Sequence, residues 1–118
     1  MYGLPVDTDL SFLAGATLLQ VCVGENEVIL NLNSSSSVMI ASSVCFLQPD
    51  GTLSTLDNAP RLGQAVLPLL GQHVTSVSVV APGTLRLMWS SGQVTEILDS
   101  WREYESYTIT HGDRVLVV

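Results

Sequence analysis

Glu27-Val28-Ile29-Leu30-Asn31-Leu32-Asn33 alternates residue by residue, with Val28, Leu30 and Leu32 on one side of an extended chain and Glu27, Ile29, Asn31 and Asn33 on the other. Successive side chains of extended backbone point to opposite faces, so this period belongs to a half-buried strand. The preceding run, Leu18-Leu19-Gln20-Val21-Cys22-Val23, is a second strand, and Gly24-Glu25-Asn26 supplies the turn between them. The serines Ser34 to Ser37 read as a hairpin loop. A third strand then covers residues 38–46, and Gln48-Pro49-Asp50-Gly51 ends it with strong turn chemistry.

Farther along, the same signals return. Residues 74–80 form a strand, Ala81-Pro82-Gly83 a turn, and Leu85-Arg86-Leu87-Met88-Trp89 a strand whose Leu85, Leu87 and Trp89 share a face. Ser90-Ser91-Gly92 reverses the chain into a strand over 93–98. After the break Asp99-Ser100-Trp101-Arg102 a strand runs over 104–110, and His111-Gly112-Asp113 turns into an apolar strand over 114–118. Between the two sets, residues 52–59 carry no pattern and read as a loop. Pro60 suits a first helical turn, and Leu62, Val66, Leu69 and Leu70 make the stripe of one short amphipathic helix with Gly71 at its C-terminal cap. Pro68 removes a backbone donor and limits that helix to about two turns. The expected architecture is mainly β with minor α, a single antiparallel-sheet domain over 1–118 with about eight strands and one or two short helices.

The two halves echo each other. At an offset of 56, Leu13-Ala14-Gly15 with Leu18, Val21 and Val23 matches Leu69-Leu70-Gly71 with Val74, Val77 and Val79. One further residue of slip matches Val28, Leu30 and Leu32 to Leu85, Leu87 and Trp89. An internal repeat of 10–46 and 66–98 would produce this, and so would any two meanders built from alternating Val and Leu. Val21, Val23, Leu30, Val77, Leu85, Leu87 and Ile109 are the expected core.

Of the 118 residues 47% are apolar and 13% charged, which excludes a disordered chain and allows a core without metal or disulfide staples. Four Arg, no Lys and eleven acidic residues give a net charge of −7, which repels phosphate backbones and anionic lipid; nucleic acid and membrane surfaces are not expected partners. No basic flank or long apolar run marks a signal peptide or a span, so the cytoplasm is the expected compartment. Cys22 and Cys45 have no C-x-x-C partner and lie in apolar runs, as buried free thiols would.

The search for chemistry returns little. His73 and His111 are the only histidines; Asp113 follows His111 by two residues, but both lie in a turn, and His73 follows the cap glycine of the helix. No nucleophile elbow, phosphate loop or His-Glu-x-x-His occurs, so no catalytic residue, metal or cofactor is expected. The most distinctive stretch is Asp99-Ser100-Trp101-Arg102-Glu103-Tyr104-Glu105-Ser106-Tyr107-Thr108-Ile109. On a strand, Tyr104, Ser106 and Thr108 share one face, with Glu105, Tyr107 and Ile109 on the other. One reading packs Tyr107 inward with Ile109, its hydroxyl on a backbone or Asp99 partner. The other makes Asp99, Trp101, Glu103, Tyr104 and Glu105 a partner-binding patch of aromatic and acidic groups.

Asp9-Leu10-Ser11-Phe12-Leu13-Ala14-Gly15, then Gln20-Val21-Cys22-Val23-Gly24, then Asp99 with Tyr104-Glu105-Ser106-Tyr107 and an apolar ending after Gly112, form a set. In that set the chain resembles a group of small bacterial domains of unknown function with a C-terminal Tyr-Glu-Ser-aromatic motif, from which it departs in the segment 53–59. The resemblance implies no activity. It implies kinship with small acidic domains, some of which sit beside polymorphic toxins as candidate immunity proteins. Two function classes follow. The first is a non-enzymatic protein-binding domain, toxin-neutralising or regulatory, whose partner has a basic surface. The second is a structural or homo-oligomeric assembly module, a homodimer pairing through edge strands.

Overall fold

A computed structural model describes residues 8–33, 35–81, 83–99 and 106–118. The fold is mainly β, with ten strands among the described residues arranged in two antiparallel five-stranded sheets. In chain order these are β1 Leu18–Val23, β2 Val28–Leu32, β3 Ser36–Ile40, β4 Val44–Leu47, β5 Leu53–Leu56, β6 Val74–Ala81, β7 Thr84–Trp89, β8 Val94–Ile97, β9 Tyr107–His111 and β10 Arg114–Val117. Helix α1, Ala59–Val66, and the 3-10 turns Ser11–Leu13 and Leu67–Leu69 complete the frame.

The first sheet runs β1-β2-β3-β9-β10 and the second β5-β4-β8-β7-β6. Each meander, β1-β2-β3 and β6-β7-β8, therefore keeps its own sheet while the hairpin that follows it crosses to the other. The meanders start side by side. Gly15 N–H donates to the Val74 carbonyl (2.7 Å) and Gly71 N–H to the Leu18 carbonyl (2.9 Å), while Val74 N–H donates to Ala16 (2.9 Å) and Leu18 N–H to Gln72 (3.0 Å). Exchanging the halves turns each of these bonds into its counterpart. Gly15 and Gly71 both hold φ of +85°, where a side chain would be strained. β1 and β6 also carry their register irregularities at matching places, between Leu18 and Gln20 and between Val74 and Ser76.

Alternation places the core as the sequence requires. Val28, Leu30, Leu32, Val38, Ile40 and Ile109 of the first sheet meet Phe46, Leu85, Leu87, Trp89 and Ile97 of the second in one apolar cluster. Asn58 caps α1 by accepting the Arg61 N–H (3.1 Å), Pro60 stands in the first turn, and Leu62 and Val66 bury the helix stripe against that cluster.

Several expectations are corrected. The strand over 38–46 is two strands in different sheets, because the chain crosses at Ala41-Ser42-Ser43. The loop over 52–59 contains β5, an exposed edge strand that has no alternation to reveal it. Leu70 is 43% exposed, because Pro68 lets the helix tighten into the 3-10 turn and the stripe ends at Leu69. Val23, at the end of edge strand β1, is 50% exposed, and Val21 and Val77 are only partly buried on their edges. Cys22 and Cys45 are free thiols, but half-buried on strand faces directed away from the core. The strand expected over 104–110 is described from Tyr107 onward; residues 104 and 105 lie outside the described residues.

Leu87 is fully buried on the central part of the second sheet. Leu87→Ala should lower unfolding stability by about 2–5 kcal/mol, measured by urea denaturation. A loss below about 1 kcal/mol would contradict this packing.

Candidate functional site

The two crossings between the sheets lie against each other. Ala41 N–H donates to the Ser106 carbonyl (2.9 Å), Leu98 N–H to the Ser43 carbonyl (3.0 Å), and the Ser42 hydroxyl to the Leu98 carbonyl. The crossing from β3 to β4 takes residues 41–43, whereas the crossing from β8 to β9 takes residues 98–106. The chain leaves at Asp99 and returns at Ser106, and those two side chains are joined: Ser106 Oγ donates to Asp99 Oδ1 at 2.7 Å. The extra length is Ser100-Trp101-Arg102-Glu103-Tyr104-Glu105. Of the five sequence-derived site residues, Asp99 is placed by the structure; Trp101, Glu103, Tyr104 and Glu105 lie outside the described residues.

Beneath this junction the packing is close. Gly83 holds φ of +85°, and a Cβ there would stand 2.6 Å from the Asp99 Cβ. The Tyr107 hydroxyl donates to the Gly83 carbonyl at 2.8 Å, with its ring buried in the core beside Ile109. Tyr107 is therefore inward, on a backbone partner. Burial, and secondarily the charge of Asp99, push its phenol above the ordinary tyrosine value. Ser106, expected on an outer face with Thr108, is instead fully buried, because it belongs to the bend before β9 and not to the strand. Asp99 is thus held between Gly83 and Ser106.

A second constellation was not visible in the sequence. Phe12 of the first 3-10 turn stacks on His111 (centroids 4.4 Å apart), the Arg114 guanidinium lies 5.6 Å from the Phe12 ring centre, and Ser36 Oγ and His111 Nδ1 share a hydrogen bond of 2.7 Å. These contacts pin the 3-10 turn onto the β9–β10 hairpin; nothing in the local spacing of Phe12 or His111 announces them. His111 is the last residue of β9, opposite Arg114, and the turn proper is Gly112-Asp113. His73 forms an isolated bridge with Thr17 where the two meanders meet. An open cleft of about 500 Å³ lies between residues 8–11 and β6, half of its lining residues hydroxyl-bearing and Asp9 its charged member. Among the described residues no three His, Cys, Asp or Glu side chains gather at a metal-binding distance.

The chain belongs to a family of unknown function (DUF6188), whose family model matches residues 10–118. No match is found among curated proteins or among solved structures.

Tyr107→Phe removes the hydroxyl bond to Gly83 and should cost about 1–2 kcal/mol. The wild-type protein should also lose stability as pH rises above the ordinary tyrosine pKa of 10.0, since the unfolded chain then ionises Tyr107 while the folded one keeps it protonated. Below that pH the contribution is fully present. Denaturation midpoints across alkaline pH should fall less steeply in Tyr107→Phe; parallel curves for the two proteins would contradict the assignment.

Proposed function

We propose that this member of the family is a non-enzymatic protein-binding domain of two repeated halves, and that Asp99, Trp101, Glu103, Tyr104 and Glu105 form its contact surface for a partner with a basic surface. The observation that carries the reading is the unequal length of the two crossings. Residues 41–43 make the passage between sheets in one direction, and Leu98, Asp99 and Ser106 supply the matching backbone and side-chain bonds in the other. The fold has no need of the six residues between, yet they hold one of the chain's two tryptophans, a tyrosine, an arginine and two glutamates. Extra length in a connection, mounted on a rigid floor, is where binding residues concentrate. Aromatic anchors beside carboxylates suit a partner that contributes Arg or Lys, and the net charge of −7 speeds the approach of such a partner.

The more specific form of the proposal is a bacterial, cytoplasmic immunity or regulatory protein that covers the basic surface of a toxin or target. The sequence resemblance supports it through the Tyr-Glu-Ser-aromatic motif, whose second half, Ser106 and Tyr107, anchors the segment.

The double substitution Glu103→Ala/Tyr104→Ala tests the proposal. Its melting temperature should stay within a few degrees of wild type, while capture of the partner from the source lysate weakens about tenfold or more. The wild-type interaction should weaken as salt rises. Unfolding of the double variant would assign these residues to the fold and remove the site.

A further inference from the structure

The four edges of the two sheets are not alike. β5 and β10 have four residues each, and β10 carries Arg114; short and charged edges discourage pairing with another chain. β1 has helix α1 packed against it, so closely that a Cβ on Gly63 would overlap the Val23 side chain. β6 is different. It is eight residues long, with no charge and no proline, and its register irregularities fall near its ends and leave Ser76 to Val79 evenly paired with β7. On the side away from β7, Val74 exchanges backbone bonds with Gly15 and Ala16. From Thr75 to Val80, among the described residues, the backbone bonds to β7 alone.

The cleft beside residues 8–11 opens onto this edge. Thr75, Ser76, Val77, Ser78 and Val79 all line it; consecutive side chains alternate between the two faces, so the cleft follows the edge of the strand and not one face. Val77 and Val79 are the more buried of the set, Ser76 and Ser78 the exposed ones. With a 3.3 Å rise, 4.8 Å between strands and about 10 Å between sheets, a strand residue fills roughly 160 Å³. The cleft of about 500 Å³ thus has room for about three residues of extended chain. On its far wall Ser11 N–H donates to Asp9 Oδ1 at 3.0 Å and fixes that exposed carboxylate. Among the described residues the ion pair is Arg86 with Glu96, and Arg114 lies over the Phe12 ring, so Asp9 has no base within ion-pair distance.

We propose that the β6 edge takes up an extended segment of a partner protein as an added strand, with apolar side chains beside Val77 and Val79 and an Arg or Lys reaching Asp9. Main-chain bonds to the edge supply the affinity, and the alternate side chains with Asp9 supply the selection. The walls choose the occupant. A strand seated between β6 and residues 8–11 has no room behind it for a second strand, which excludes the sheet edge of another copy. The chain's own first seven residues hold Pro5 and Asp7 and no base to meet Asp9. This site does not rest on the contact surface proposed above.

The probe is the capped peptide acetyl-Thr-Val-Arg-Val-Thr-amide, titrated into the full chain and followed by amide chemical shifts and hydrogen exchange. Half-saturation is expected below about 1 mM. At ten times the Kd, the outward amides between Thr75 and Val80 should exchange about tenfold more slowly, with β5 and β10 unchanged. N-methylation of every peptide residue removes its backbone donors and should weaken binding at least tenfold. Glu in place of the peptide's Arg should also weaken it, and Asp9→Asn should do so by about threefold, an effect that shrinks with salt. No binding at about 1 mM overturns the proposal. Equal binding of the methylated or the Glu peptide does too, as does protection confined to β5 or β10. Slow exchange at every amide from Thr75 to Val80 in the free protein would show the edge already filled, by the chain's own first residues or by a second copy, and would equally overturn it.

Discussion

Each meander hands its following hairpin to the opposite sheet, and the rest of the structure depends on that exchange. β4 and β5 follow β3 in the chain but pair through β8; β9 and β10 follow β8 but pair through β3. Neither sheet reaches five strands without both halves. The inward rows can therefore close one apolar cluster only when both crossings are made, and the hydrogen bonds from Ala41 to Ser106 and from Leu98 to Ser43 hold those crossings in contact. At the other end of the meanders the Gly15 and Gly71 segments exchange backbone bonds in the same reciprocal way. Many of these pairings are distant in sequence, so ordering them costs loop-closure entropy before the core repays it.

A frame this even makes departures from evenness informative. Where both halves do the same thing, the fold accounts for the residues: paired glycines at +85°, matched irregularities in β1 and β6, and buried Leu13 and Leu69 before each glycine. Where they differ, the fold does not. The longer second crossing is one such difference: it adds charged and aromatic residues to the chain.

The strands were legible because burial on one face writes itself as alternation, and Val28, Leu30, Leu32, Leu85, Leu87 and Trp89 all face inward as read. The same rule hid the crossing. Val38, Ile40, Ser42, Val44 and Phe46 are all buried, so the period-two pattern passes unbroken from one sheet into the other, and only the Ser42-Ser43 pair marks the change. β5 escaped notice because an edge strand exposed along its length has no period to display. At the candidate site, the inward Tyr107 could be read from local pattern. Gly83 could not, since its closeness to Asp99 arises from the β6–β7 turn meeting the second crossing, and no local spacing encodes that contact.

The central claim is that the frame is complete without the six residues between Asp99 and Ser106. Deleting residues 100–105, so that Asp99 joins Ser106 directly, leaves a second crossing of three residues like the first. Thermal unfolding followed by circular dichroism measures the outcome. The account predicts a cooperative transition within about 4 °C of wild type, equivalent to about 1 kcal/mol in a chain of this size. A chain that loses its β spectrum, or melts without cooperativity, would show that the segment belongs to the fold and would contradict the claim.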